Sequence, residues 1–88
     1  MIASRVVVYG DVQGVFFRDS CRQQAAQAGV AGWVRNRSDG AVEAVFEGEP
    51  EAVARVCRWC ESGPDQARVD HVAVTDEELA DLTGFTVR

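Results

Sequence analysis

Ser38-Asp39-Gly40 stands between two runs of β-forming residues, Gly32 to Arg37 and Ala41 to Phe46. An Asp-Gly pair in that setting closes a tight antiparallel hairpin. The hairpin lies near the middle of the chain, and one helical pattern flanks it on each side, so it orders everything else. Before it, Cys21, Ala25 and Ala28 recur at i, i+4 and i+7 with Gly29 as a stop, which predicts a helix over 19–28. After it, Val53, Val56, Cys57 and Cys60 fall at i, i+3, i+4 and i+7 behind Pro50, with Gly63-Pro64 beyond, and predict a second helix. Glu49 and Glu51 suit its positive end.

The unbroken apolar run Val6 to Tyr9 reads as a buried strand and Arg68 to Thr75 as an alternating one, while residues 84–88 can form a short edge strand. Asp76-Glu77-Glu78 reads as a solvated turn or short helical piece. In the second hairpin strand Val42, Ala44 and Phe46 share one face and Glu43, Val45 and Glu47 the other, as in a sheet with one solvated side. The order is β, α, β, β, α, β and a terminal β. Right-handed crossovers then put both helices on one face of a mainly antiparallel sheet, an α+β, ferredoxin-like βαββαβ sandwich. With 88 residues there is room for one core, so a single domain over residues 1–88 is expected. That plan hosts many unrelated activities, so function must be read from the site.

Charge narrows the choice. The net charge is −5, and it is unevenly spread: residues 1–40 carry five Arg against three Asp, residues 41–88 four Arg against eleven acids. An acidic chain argues against a nucleic-acid partner, since phosphate backbones demand a basic face. There is no Lys, which excludes Schiff-base chemistry and a lysine P-loop. No run approaches the roughly 20 apolar residues of a membrane helix, and the N-terminus lacks a secretory pattern, so a cytoplasmic protein is expected. Three cysteines, two of them on one helical face, do not make a disulfide framework. A monomer is expected from size and acidity.

The stretch between the first strand and the first helix reads Gly10-Asp11-Val12-Gln13-Gly14-Val15-Phe16-Phe17-Arg18. Two glycines allow positive φ, so that successive N–H groups can converge on an anion at the helix start. Arg18 adds a planar fork able to grip two phosphate oxygens. Val15, Phe16 and Phe17 would anchor and dry the loop. The plain alternative is an ordinary Gly-rich turn with Arg18 solvated.

This stretch, followed by Gly32-Trp33-Val34-Arg35-Asn36, Ser38-Asp39-Gly40-Ala41-Val42-Glu43, Gly63-Pro64, Ala67-Arg68-Val69 and Gly84-Phe85, resembles the signature of the acylphosphatase family over nearly the whole chain. The resemblance implies hydrolysis of the carboxyl-phosphate bond of acyl phosphates without metal or cofactor. It implies that Arg18 binds the phosphoryl group, that Asn36 orients the attacking water, and that backbone N–H groups of Val12, Gln13, Gly14, Val15 and Phe16 hold the phosphate. One departure is Asp11, a negative charge beside an anion site, for which Arg35 and Arg37 could compensate. A second reading is a carbamoyl-phosphate or other phosphate-binding module with little turnover, since similar domains occur inside hydrogenase-maturation proteins; those tend to show Gly-Phe where this chain has Phe16-Phe17.

The chemistry agrees from the other direction. No Cys-based phosphatase motif, GxSxG elbow, Asp-x-Asp-x-Thr pattern or metal cluster is present, so a poor leaving group would find little help. A carboxylate leaves without an acid. Cys57-Arg58-Trp59-Cys60 shares the apolar face of its helix and reads as packing rather than redox or metal chemistry. His71, in an alternating strand, reads as structural. An RNA-recognition module would show aromatics on its central strands, where Val and Ala stand here.

Overall fold

The computed structural model describes residues 1–88. Its elements are β1 (Ile2–Asp11), α1 (Phe17–Ala28), β2 (Ala31–Asn36), β3 (Val42–Gly48), α2 (Pro50–Cys60), β4 (Arg68–Glu77) and β5 (Phe85–Val87). The strands make one sheet in the order β4-β1-β3-β2-β5. β1 runs antiparallel to β3 and β4, β2 antiparallel to β3, and β5 lies parallel to β2 with Val87 opposite Val34. This is the ferredoxin-like βαββαβ arrangement with a terminal edge strand. No helix is long and apolar enough to cross a membrane.

The core forms where both helices meet one face of the sheet. Val6 and Val8 of β1, Val34 of β2, and Ala44 and Phe46 of β3 pack with Phe17, Cys21 and Ala25 of α1 and Val53, Val56 and Cys60 of α2. Each fully buried Val or Phe contributes about 1.5–3 kcal/mol over leaving it in water. Phe17 sits against Trp59 with ring centroids 5.2 Å apart, and Phe46 stacks on Phe85 at 5.8 Å, which ties β5 to the core. Gly29, at φ 73°, ends α1, and the N–H of Val30 bonds the carbonyl of Ala25.

The opposite face is not simply solvated. Glu43 and Glu47 are buried, at 6% and 2% exposure. Arg5 and Arg35 both hold Glu43, Arg35 Nε at 2.7 Å, and Arg5 also reaches Glu77 at 2.6 Å. Asp76 and Glu77 continue β4 rather than form the expected turn because they pair with Ser4 and Ala3 of β1, and the Arg5–Glu77 bond adds to that pairing. Glu47 accepts the N–H groups of Ala80 at 3.0 Å and Leu82 at 3.1 Å, so the segment between β4 and β5 folds over this end of the sheet. Trp33 lies beneath three guanidiniums, Arg88 closest at 4.4 Å from the ring centroid.

Candidate active site

The chain enters the site through an irregularity. The register of β1 against β4 shifts between Tyr9 and Gly10. At Gly10, with φ +136°, a Cβ would lie 2.1 Å from the carbonyl oxygen of Arg68. This glycine therefore serves the close approach of two strands and not, as the sequence suggested, the anion loop. Gly14, with φ +75° and open space around it, is the glycine of the loop itself.

Residues 12–16 join β1 to α1. Val12 and Phe17 are buried and Val15 packs partly against the core, but Phe16 is 70% exposed. The drying of the loop expected of Val15, Phe16 and Phe17 thus rests on Val15 and Phe17 alone, and the Phe16 ring stands in solvent. Phe16 is the N-cap of α1 at φ 63°, and the reversal there turns Phe17 inward and leaves the Phe16 ring outside. Its side chain cannot cap, and no other side chain does. None of the backbone hydrogen bonds outside the regular elements has its donor between Val12 and Asp19. A run of N–H groups at a turn and helix start is left without a protein acceptor, next to the positive end of the helix dipole.

Arg18 belongs to the same place. Its Nη1 donates to the carbonyl oxygen of Arg88 at 3.0 Å. One of five donors is spent on orientation and the others stay available. Gly14, Phe16, Arg18, Asp19 and Val87 line a cavity of about 290 Å³. Gln13 does more than lend its backbone: its Nε2 donates to the carbonyls of Arg37 at 2.7 Å and Ala41 at 3.0 Å, stapling the loop to the base of the β2–β3 hairpin. Asn36 ends β2 at that base, opposite Val42. It does not line the cavity, and its buried Oδ1 has no hydrogen-bond partner.

The acylphosphatase family model matches residues 4–87. The chain belongs to the acylphosphatase family. It is 58% identical over 85 residues to the acylphosphatase of Rubrobacter xylanophilus, covering 96% of this chain and 77% of that protein. Among solved structures, the acylphosphatase of Bacillus subtilis superposes with a TM-score of 0.96 at 34% identity, covering 100% of this chain and 99% of the other. The acylphosphatase of Coxiella burnetii gives 0.95 at 40% identity, over 99% and 92%.

Within this acylphosphatase fold the charges around the site are mostly spoken for. Asp11 pairs with Arg68 at 2.9 Å, and Arg68 also holds Asp70 at 3.1 Å. The hydrogen bond to Asp70, then the field of Asp11, raise the Arg68 guanidinium, and Arg68 in turn lowers the Asp70 carboxyl. Asp11 is thereby answered from β4. Arg35 and Arg37 do not compensate for it, because Glu43 and Asp39 hold them, the latter at 2.8 Å. The three cysteines are free, and burial pushes the Cys57 thiol up to about 11, so the C-x-x-C spacing offers no thiolate at neutral pH. His71 stacks on Tyr9 with centroids 5.8 Å apart.

Sequence reasoning missed Asp19 and Val87. Asp19 had a signal, since it follows Arg18 at the start of a helix; Val87 had none, because its place depends on the parallel register of β5 against β2.

Proposed function

We propose that the chain hydrolyses acyl phosphates to a carboxylate and inorganic phosphate by direct attack of water on phosphorus. One observation carries this: the N–H groups of Val12 to Asp19 have no acceptor in the protein, and Gly14, Phe16 and Asp19 of that run line one cavity together with Arg18. In this reading the N–H groups of Val12 to Phe16 and the fork of Arg18 hold the phosphoryl oxygens, and Asn36 holds the water.

The water oxygen bonds to phosphorus as the bond from phosphorus to the acyl oxygen breaks, with its electron pair staying on the carboxylate. A carboxylate whose acid has a pKa of about 4 needs no proton to leave. Charge in the loose transition state rests on the peripheral phosphoryl oxygens, and this reading aims the loop N–H groups and the guanidinium at them. Donors of this kind are each worth about 2.7–4 kcal/mol, and an arginine on a phosphoryl transition state about 10³–10⁵ in rate. Asn36 is not a base; its amide can hold water as donor and acceptor at once, and because Oδ1 is buried in the resting orientation the side chain must turn toward the loop to do so. The proton of the water passes to a phosphoryl oxygen of the substrate.

The test is hydrolysis of benzoyl phosphate in chelator. Arg18→Ala should lose both phosphate inhibition and turnover, and Arg18→Lys should restore neither, since a point charge lacks the fork. Asn36→Ala should lower kcat with phosphate inhibition nearly intact. The kcat–pH profile of Asp19→Asn should keep the shape of the parent; loss of a limb would make Asp19 the base and overturn the substrate-assisted step.

A further inference from the structure

Phe16 is the most exposed large apolar side chain of the protein, and Val87, at 39%, is also among the exposed ones. Both line the cavity that holds Arg18. They come from opposite ends of the chain and from elements that do not continue each other, so their convergence on one opening is a feature of the folded surface. Phe16 is also held where a bulky residue is strained: φ of +63° costs an L-residue with a Cβ about 1–2 kcal/mol, and Asn or Gly would sit there more comfortably. Phe16 gains little burial in return, at 70% exposure. A strained backbone and an unburied aromatic at the mouth of a site are compensated when a ligand covers the ring.

The cavity has room for such a ligand. At about 290 Å³ it equals roughly ten waters at about 30 Å³ each, well beyond one phosphoryl group. Charge limits what the remainder can be. Asp19 brings a carboxylate to the lining. The cations that could offset a second anion are turned elsewhere: Arg35 to Glu43, Arg37 to Asp39, Arg88 onto Trp33. Arg22, one turn beyond Arg18, lines a separate groove with Gly84 and Phe85.

We infer that Phe16 and Val87 form an acyl subsite that takes an uncharged apolar acyl group, and that Asp19 disfavours acyl groups bearing a second negative charge. This rests on the phosphoryl-site reading above and adds the substrate class. Butyryl and succinyl phosphate differ only by a terminal carboxylate against a methyl, and wild-type kcat/KM should favour butyryl by about 10-fold at low salt, a gap that narrows as salt screens it. Asp19→Asn should raise the succinyl value about 3-fold or more and leave the butyryl to acetyl ratio unchanged.

Phe16→Asn keeps a residue tolerant of the left-handed backbone and removes the ring. It should cut the preference for benzoyl over acetyl phosphate about 10-fold, the scale on which apolar pockets discriminate. Because the residue 16 N–H belongs to the phosphate site, acetyl phosphate serves as the reference, and a loss of phosphate affinity common to both substrates cancels in the ratio. Val87→Thr, a β-branched isostere, supplies the same readout if Phe16→Asn does not fold. Equal wild-type efficiency on butyryl and succinyl phosphate, or an unchanged benzoyl preference in both apolar variants, overturns the acyl subsite. Wild-type protein inert toward every acyl phosphate overturns the proposed function itself, so the two failures read differently.

Discussion

Glu47 lies 2% exposed in β3, and its hydrogen bonds go to the N–H groups of Ala80 and Leu82. Replacing it with Ala leaves both N–H groups facing a void. An orphaned buried donor costs about 1–3 kcal/mol, but Ala80 is exposed and Leu82 half-buried, so water recovers part of both losses and the expected total is about 1–3 kcal/mol. Glu47→Gln keeps one acceptor and turns an NH₂ toward the other N–H, for about half that loss. In a domain of this size each kcal/mol moves Tm by about 4–8 °C. Urea unfolding gives the magnitude and hydrogen exchange gives the place. The N–H groups of Gly32 and Arg88, bonded to the carbonyls of Gly84 and Val34, should lose protection ahead of the β1–β3 ladder. The same variant should weaken phosphate binding, because β5 delivers the Arg88 carbonyl that orients Arg18. A Glu47→Ala unfolding free energy within about 0.5 kcal/mol of wild type, with Gly32 and Arg88 still protected, would refute the reasoning.

Gln13→Leu removes both bonds to the hairpin carbonyls; kcat/KM should fall about 10- to 100-fold, as for a misplacement of about 1 Å, with a stability loss under about 2 kcal/mol in urea. Gly10→Ala should cost about 3 kcal/mol or more in the same assay, because its Cβ meets the Arg68 backbone at 2.1 Å. Gly14→Ala should cost only about 1 kcal/mol, from φ alone. Burial pushes the Glu43 carboxyl up, but Arg35 and Arg5 outweigh it and hold it below its ordinary value. A folded value below the unfolded one stabilises above about pH 4.3 and is lost as pH falls through the folded value, so Tm should drop on that acid limb and Glu43→Gln should flatten it.

The hairpin, both helices and the order of elements along the chain were legible because each carries local chemistry: Asp39-Gly40 for the turn, periodic apolar residues for α1 and α2, Gly29 and Pro50 for their ends. Arg18 and the loop stood out for the same reason, whereas Asn36 was marked only through the resemblance to the acylphosphatase signature. What stayed hidden depends on distant partners. Nothing near Gly10 in sequence announces the Arg68 carbonyl, and nothing near Glu47 announces Ala80 and Leu82. The alternation in β3 correctly separated two faces but misread the outer one as wet, because the arginines that cover Glu43 lie on β1 and β2. Phe16 and Phe17 look alike in sequence, and only the reversal at Phe16 decides which ring goes in.

The protein anchor of Arg18 is a carbonyl 70 residues away, and Arg5 finds Glu77 across 72. Neither contact exists until the strand beyond residue 84, or β4 before it, has docked. Order of assembly therefore separates two events that equilibrium structures merge. The helices and the hairpin can collapse early on local information, while the phosphate-gripping guanidinium takes its final posture only with the last strand, so competence to bind should trail compaction during refolding.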